Sequence, residues 1–396
     1  MNKTNTEELR IGIVGFGGNG CGMHSGYLYE GKVEGVRLAA VCDIDAERLK
    51  IAEEKFGTDV SLYSSHIELL AAKVVDAIII CTPHYDHPPI AIDALNAGIH
   101  VLTEKPAGVY TKQVREMNEA AELSGKVFGI MYNQRTSPAY IKMKEIVDSG
   151  QLGEIRRVLY EITTWYRTQS YFNRGGWRAT WSGEGGGVLI NQCPHNLDLW
   201  QWICGMPVKV NAQMGFGRFH DIEVEDDVSA IVEYKNGATG VFITTTGEAP
   251  GVQRMEIAGD KGLLIYENGK LTWKQTQASI SEDLATSKEG LKKPECWHVD
   301  IPLAPSPQGP HQQITTNFIN AIRNGEKSAT LIAPGDEGIR GLELSNAMHL
   351  SAWKGESVAL PIDEDEYFAF LQKKIKASTF VKDVEKNETM AFEGSY

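Results

Sequence analysis

Cysteine is sparse and never paired in sequence. The chain of 396 residues has six, at Cys21, Cys42, Cys81, Cys193, Cys204 and Cys296, with no C-x-x-C arrangement among them. This speaks against a disulfide framework or a zinc ribbon and reads as reduced, mostly buried thiols of an intracellular protein. Basic residues are also in deficit, 39 Lys and Arg against 52 Asp and Glu, for a formal net charge of −13. Phosphate backbones and anionic membranes are bound largely by Lys and Arg, so neither nucleic acid nor a membrane is an expected partner. No apolar run reaches transmembrane length, and the opening Met1-Asn2-Lys3-Thr4-Asn5-Thr6-Glu7-Glu8 is polar. Neither a membrane anchor nor a secretory leader is therefore expected, and the cytoplasm is the expected location.

What is present is ordinary globular usage, 42% hydrophobic and 23% charged, in a chain too long for one core, so two domains are expected. Strand-like runs at Arg10–Val14, Val36–Cys42, Ala77–Cys81, His100–Thr103 and Val127–Met131 alternate with helical spacing. Examples of that spacing are Ala46, Leu49, Ala52 and Phe56, then Ile90, Ile92, Leu95 and Ala97, then Thr111 to Ser124 with Gly125 as a stop. The alternation predicts an α/β domain over 1–132 with a doubly wound parallel sheet. By periodicity alone, Ile78-Ile79-Ile80 also fits a buried helix.

From 133 to 382 the pattern turns to an α+β domain with an open, largely antiparallel sheet. Strands are expected at Ile155–Tyr166, Val208–Met214, Val228–Tyr234, Gly240–Thr246, Met255–Ala258, Leu263–Glu267, Lys270–Thr276 and Val358–Pro361. Lys235-Asn236-Gly237 and Glu267-Asn268-Gly269 read as hairpin turns. Helices are expected at Pro138–Asp148, Pro194–Ile203, Gln312–Arg323 and Gly335–Trp353, the late ones packing back on the first domain. Ser279–Pro310, polar and proline-rich toward its end, reads as a long loop. Residues 383–396 read as a polar tail, mobile or docked on a partner subunit.

Gly15, Gly17 and Gly20 meet the G-x-G-x-x-G spacing behind a strand and ahead of a helix. Such a turn brings backbone, Phe16 included, close to a pyrophosphate at the positive end of a helix. Asp43, ending the next strand, would accept hydrogen bonds from the adenosine ribose and repel a 2′-phosphate, which favours NAD over NADP. Its bland use is as the N-cap of the following helix, and one carboxylate could serve both. Thr82 and Pro83 follow the Ala77–Cys81 strand and should line the same crevice, with His87 at its end either there or capping the next helix. His84 and His87 lack a carboxylate or cysteine at ligand spacing, so no metal site is expected. Lys105, within Glu104-Lys105-Pro106, follows another strand end. A lysine is most often a solvated surface residue, but here it would hold a substrate hydroxyl and lower the pKa of a neighbouring base.

That base is expected in the second domain. Gly183-Glu184-Gly185-Gly186-Gly187 leads into a buried strand or helix, after which Asn191 and His195 stand four apart on one helical face. A histidine suits removal of a proton from an alcohol as hydride leaves the same carbon. Taken alone, a core histidine bonded to backbone is the commoner use. Tyr166, Arg167, Trp177 and Arg178, with Trp165 and Trp181, offer flat rings and guanidinium groups suited to sugar faces and hydroxyl rims. Packing of the sheet face is a near-equal use for each tryptophan.

Assembled, these motifs resemble the glucose–fructose oxidoreductase and inositol dehydrogenase family, Gfo/Idh/MocA. The likeness spans nearly the whole chain: the glycine turn, Thr82-Pro83, Glu104-Lys105-Pro106, Asn133-Gln134-Arg135, Gly150-Gln151-Leu152-Gly153, the Gly185–Asp198 stretch and Gly355–Pro361. It implies an N-terminal Rossmann domain and an open-faced sheet domain used for homo-oligomer contacts. It also implies redox chemistry on a hydroxyl of a sugar, inositol or related polyol, assigns catalysis to Lys105 and His195 with Asn191, and sets Glu104 and Asn133 beside the cofactor. One departure stands out: many members have aspartate where this chain has Asn191, and Asp198 either supplies the missing charge or anchors its helix. The expected protein is thus an NAD-dependent dehydrogenase of a secondary hydroxyl. An NAD-dependent, redox-assisted glycosidase and a non-catalytic sugar or NAD sensor are the alternatives.

Overall fold

The computed structural model describes residues 8–382. They form two compact units, 8–136 with 308–342, and 137–307 with 343–382.

In the first unit, β1 (Leu9–Val14) enters a wide π-type turn (Gly18–His24) and α1 (Ser25–Tyr29). There follow β2 (Val36–Cys42), α2 (Ala46–Phe56), β3 (Ser61–Tyr63), α3 (His66–Ala71), β4 (Ala77–Ile80), α4 (His87–Asn96), β5 (His100–Thr103), α5 (Thr111–Ser124) and β6 (Phe128–Ile130). The strands form one sheet in the order β3-β2-β1-β4-β5-β6, every pair parallel. Ile78, Ile79 and Ile80 are all fully buried in β4, as a parallel strand covered on both faces requires. Each such side chain contributes about 2–3 kcal/mol of burial. The order reverses between β1 and β4, and in open α/β sheets ligands bind beyond the strand ends at such a point. The short β3 and α3 were not legible from periodicity.

The chain continues through α6 (Pro138–Asp148), β7 (Ile155–Ile162), α7 (Gln169–Asn173), α8 (Val188–Asn191), α9 (Pro194–Cys204), β8 (Lys209–Phe216), β9 (Glu225–Glu233) and β10 (Thr239–Thr245). Then come β11 (Gln253–Gly259), β12 (Gly262–Glu267), β13 (Lys270–Thr276), α10 (Ile280–Thr286), β14 (Cys296–Ile301), α11 (Pro310–Asn324), α12 (Gly338–Lys354), β15 (Val358–Ala359) and α13 (Glu364–Ala377). Helix α11 belongs to the first unit. The nine strands of the second unit run β14-β13-β12-β11-β7-β10-β9-β8-β15, antiparallel at every pair except β7–β10. In β9, Val228, Ala230 and Val232 are buried while Ile231 is 57% exposed, so one face is covered and the other open. Helix α9 lies on the covered face, where Trp200 stacks on Phe242 with ring centroids 5.3 Å apart. The Asn196 amide donates to Tyr160 at 2.9 Å and fixes the same helix to β7.

Both expected hairpins form, with Asn268 and Gly269 left-handed at φ 50° and 74°. The reading of Ser279–Pro310 as a loop is corrected: α10 and β14 lie within it, and β14 pairs with β13. Helix α10 buries no residue and β14 is exposed along nearly its whole length, so neither carries a hydrophobic period. The expected tail at 383–396 lies outside the described residues. Among the described residues no helix is long and apolar enough to cross a membrane.

Candidate active site

In the first unit the glycine turn is fixed by close packing. Gly15 has φ +93°, and a Cβ there would stand 2.7 Å from the Cys81 carbonyl carbon, at the end of β4. A Cβ on Gly20 would meet the Gly15 carbonyl oxygen at 2.0 Å, whereas one on Gly17 would meet nothing within 4 Å. The turn is thus tight where chain crosses chain and open at its middle glycine. The Phe16 N–H donates to Asp43 Oδ2 at 2.6 Å, and the Asp45 N–H donates to Asp43 Oδ1 at 2.8 Å. The cap of α2 is Asp45, which accepts the Glu47 N–H at 2.9 Å. Asp43 therefore braces the glycine turn and does not cap the helix. A carboxylate has about four acceptor sites, so two remain for further donors.

His87 opens α4 with no capping bond from its neighbour Asp86. Its ring spans two loops, Nε2 2.8 Å from the Thr82 carbonyl and Nδ1 2.7 Å from the Pro106 carbonyl. The expected capping role is replaced by a tie between the turns after β4 and β5. Burial pulls the His87 pKa down against the pull of those two carbonyls. Thr82 Oγ1 and Asn133 Oδ1 are buried with no hydrogen-bond partner among the described residues. Buried polar atoms are normally satisfied, and with the open glycine these two fit a polar ligand such as a dinucleotide.

Lys105 is half-buried, and its backbone N–H donates to Glu104 Oε2 at 3.2 Å. Glu104 is 3% exposed and meets His24 Nε2 at 2.8 Å through Oε1. His24 Nδ1 lies 2.6 Å from the Tyr27 hydroxyl, which meets Thr315 Oγ1 at 2.9 Å. Burial opposes ionisation of Glu104, but the hydrogen bond and attraction of His24, then His311 and Lys105, pull it down to about 2. Burial takes His311 down to about 4 despite Glu104. A buried carboxylate thus underlies Lys105 on a network tied to α11.

In the second unit, Arg178 lies between the rings of Trp177 and Tyr171, 4.7 and 4.6 Å from their centroids, and donates to the Tyr171 hydroxyl at 2.7 Å. Arg167 also stands over Tyr171, 5.2 Å from its ring centroid. The Gln192 amide donates to the same hydroxyl at 3.0 Å, and that hydroxyl lies 3.5 Å from Asn191 Oδ1. Tyr166 is 52% exposed. Trp181 packs against Trp353 and Phe216, a core use. Asn191 and His195 do not share one helix: Asn191 ends α8 and His195 is the second residue of α9. Pro194, at the start of α9, has no N–H with which to continue the preceding helix. His195 is buried. Asp198 accepts from Gln201 of its own helix at 3.0 Å, while Asn191 Nδ2 donates to a different carboxylate, Glu184.

The sequence reading did not single out His24, His311, Tyr171, Glu184 or Gln192, nor the pair beneath the glycine run. There Glu225 accepts the Gly187 and Leu189 N–H groups at 2.8 and 3.0 Å and meets His349 Nε2 at 2.9 Å, with both side chains fully buried. The signal available for Glu184 was a carboxylate immediately before three glycines. Among the described residues no group of three or more His, Cys, Asp or Glu is arranged for a metal ion.

Residues 9–132 match the oxidoreductase family with the NAD-binding Rossmann fold, and residues 140–265 match the GFO/IDH/MocA C-terminal domain. The chain is 29% identical to D-glucoside 3-dehydrogenase of Escherichia coli (strain K12), over 65% of this chain and 76% of that one. It is 31% identical to inositol 2-dehydrogenase of Rubrobacter xylanophilus, over 50% of this chain and 52% of that one. In structure it resembles the WlbA dehydrogenase of Chromobacterium violaceum, solved with NADH and UDP-GlcNAcA. The TM-score is 0.75 and the identity 28%, covering 91% of this chain and 98% of that one. The two family matches, over the six-stranded parallel sheet with its glycine turn and over the open mixed sheet that follows in sequence, place the chain in the Gfo/Idh/MocA family of oxidoreductases.

Proposed function

We propose that the protein is an NAD-dependent dehydrogenase that oxidises a secondary hydroxyl of a sugar, glycoside or inositol. The observation that carries this reading is the setting of Lys105: it follows the end of β5 at Thr103, at the mouth of a parallel sheet, with its backbone held by the buried Glu104–His24 pair. The glycine turn, Asp43, Thr82 and Asn133 would hold the dinucleotide, which when bound supplies a hydride acceptor at its nicotinamide. NAD is preferred because Asp43 keeps two acceptor sites for the ribose and would repel a 2′-phosphate. The next residue is the 93% exposed Ile44, with no cation there to receive that phosphate.

The substrate hydroxyl loses its proton to His195, and Lys105 stabilises the developing alkoxide. Arg178, Trp177, Arg167 and Asn191 orient the ring, with Tyr166 at the exposed rim. Carbon–hydrogen and oxygen–hydrogen bonds both break at one carbinol, giving a ketone, NADH and a proton. The test is NADH absorbance with a panel of inositols, hexoses and aryl glycosides. Turnover with one class, reduced at least a hundredfold in Lys105→Ala and His195→Ala, is expected. Aglycone release without net NADH would overturn it in favour of redox-assisted cleavage, and NAD binding with no turnover in favour of a sensor.

A further inference from the structure

Glu184 has no part in the reaction as assigned so far, yet it is 1% exposed in a glycine-rich segment. A buried carboxylate is costly unless several donors meet it. Here Oε2 accepts the Ala179 N–H at 2.6 Å, Oε1 accepts the Asn191 amide, and the Arg178 guanidinium lies 3.8 Å away. Ala179 is left-handed, φ 59°, a conformation unfavourable for alanine. Such strain persists only where the surroundings hold it. The carboxylate thus grips the residue after Arg178 and the side chain of Asn191 together. Burial raises the Glu184 carboxyl, opposed by Arg178, the Ala179 N–H and Asn191, with Glu225 raising it further. Lys382, whose amine donates to the Arg178 carbonyl at 3.0 Å, is a further nearby charge.

A carboxylate is an acceptor only, so it turns the Asn191 NH₂ toward itself and leaves Oδ1 on the side of the Tyr171 hydroxyl and the Arg178 cluster. A negative charge behind the amide also strengthens that carbonyl as an acceptor. We propose that Glu184 is the positioning carboxylate of the substrate pocket: through Asn191 and Ala179 it sets an acceptor at position 191 and the guanidinium of Arg178 to receive one substrate hydroxyl. This rests on the dehydrogenase reading and deepens it.

The same geometry predicts a reciprocal exchange. In Glu184→Gln the new carboxamide oxygen takes the Ala179 N–H and its NH₂ faces position 191. Asn191 must then flip, presenting a donor where an acceptor stood. In the double variant Glu184→Gln/Asn191→Asp, the new carboxylate at 191 accepts from Gln and again presents an acceptor to the pocket. Steady-state kinetics on the panel substrate, with calorimetric binding of methyl β-D-glucopyranoside and myo-inositol to the NADH-loaded protein, tests this. NADH-binding stoichiometry counts folded protein in each variant. The single variant is expected to lose at least tenfold in kcat/KM and in affinity for whichever probe binds, and the double variant to return within about threefold. A single variant that binds and turns over like wild type, or a double variant no better than the single, overturns the proposal. If wild type binds a probe but makes no NADH, the dehydrogenase reading fails while the binding arm still decides Glu184. If wild type neither binds nor turns over any probe, both fail.

Discussion

Replacing Glu104 by glutamine keeps shape and removes one buried charge. In the folded protein this carboxyl stands at about 2, against an ordinary value of 4.5. The difference, about 2.5, corresponds to roughly 3 kcal/mol of stability at neutral pH. Removal of one member of a buried pair costs a comparable ~3–5 kcal/mol, because the other is left uncompensated. For a unit of this size each kcal/mol moves the melting temperature by about 2–4 °C, so Glu104→Gln should melt about 6–12 °C lower at pH 7. Because the folded value is depressed, the contribution is fully present above pH 4.5 and is lost as pH falls toward 2. The gap between wild type and variant should therefore hold from pH 7 to about 5 and close in more acidic buffer. Circular dichroism melts across that range measure it. Equal midpoints at pH 7, or a gap unchanged by acid, would refute the buried-pair account of the Lys105 loop.

Two further outcomes follow from particular contacts. Asp43→Asn keeps the Phe16 contact but removes the charge proposed to meet the ribose. It should raise the KM for NAD about tenfold or more and narrow the preference over NADP, as read from the two kcat/KM values. On the open sheet face, Ile231 is in register with Val241 and then Leu159, an apolar row suited to a second copy of the chain. We expect wild type to be a homo-oligomer by light scattering and Ile231→Lys to shift it to smaller species. A wild-type monomer would remove that expectation.

The parallel sheet was legible because its strands are continuous apolar runs and its first turn requires glycine. The hairpins at Asn236-Gly237 and Asn268-Gly269 were legible because few other residues accept the left-handed angles of Gly237, Asn268 and Gly269. Exposed elements such as α10 and β14 were not, since they bury too little to impose a period. The break between α8 and α9 was written in Pro194 and was passed over because Asn191 and His195 fit one helical face. The buried polar pairs were hidden for a different reason. His24 and Glu104 stand 80 residues apart, and Glu225 and His349 stand 124 apart. No local pattern specifies such partners, which only the folded sheets bring together. Glu184 was in plain view beside the glycines, but its meaning depends on the left-handed Ala179 and on the direction of the Asn191 amide.

In the proposed oxidation a hydrogen leaves a carbinol carbon for the nucleotide. Panel substrates carrying deuterium at each candidate carbinol would be turned over with NAD, and the NADH isolated and analysed by mass and proton magnetic resonance. Deuterium at nicotinamide C4 from one position, together with a slower rate for that isotopomer, is the predicted result. NADH free of label from every isotopomer, or label washed into solvent with NAD unchanged, would contradict it.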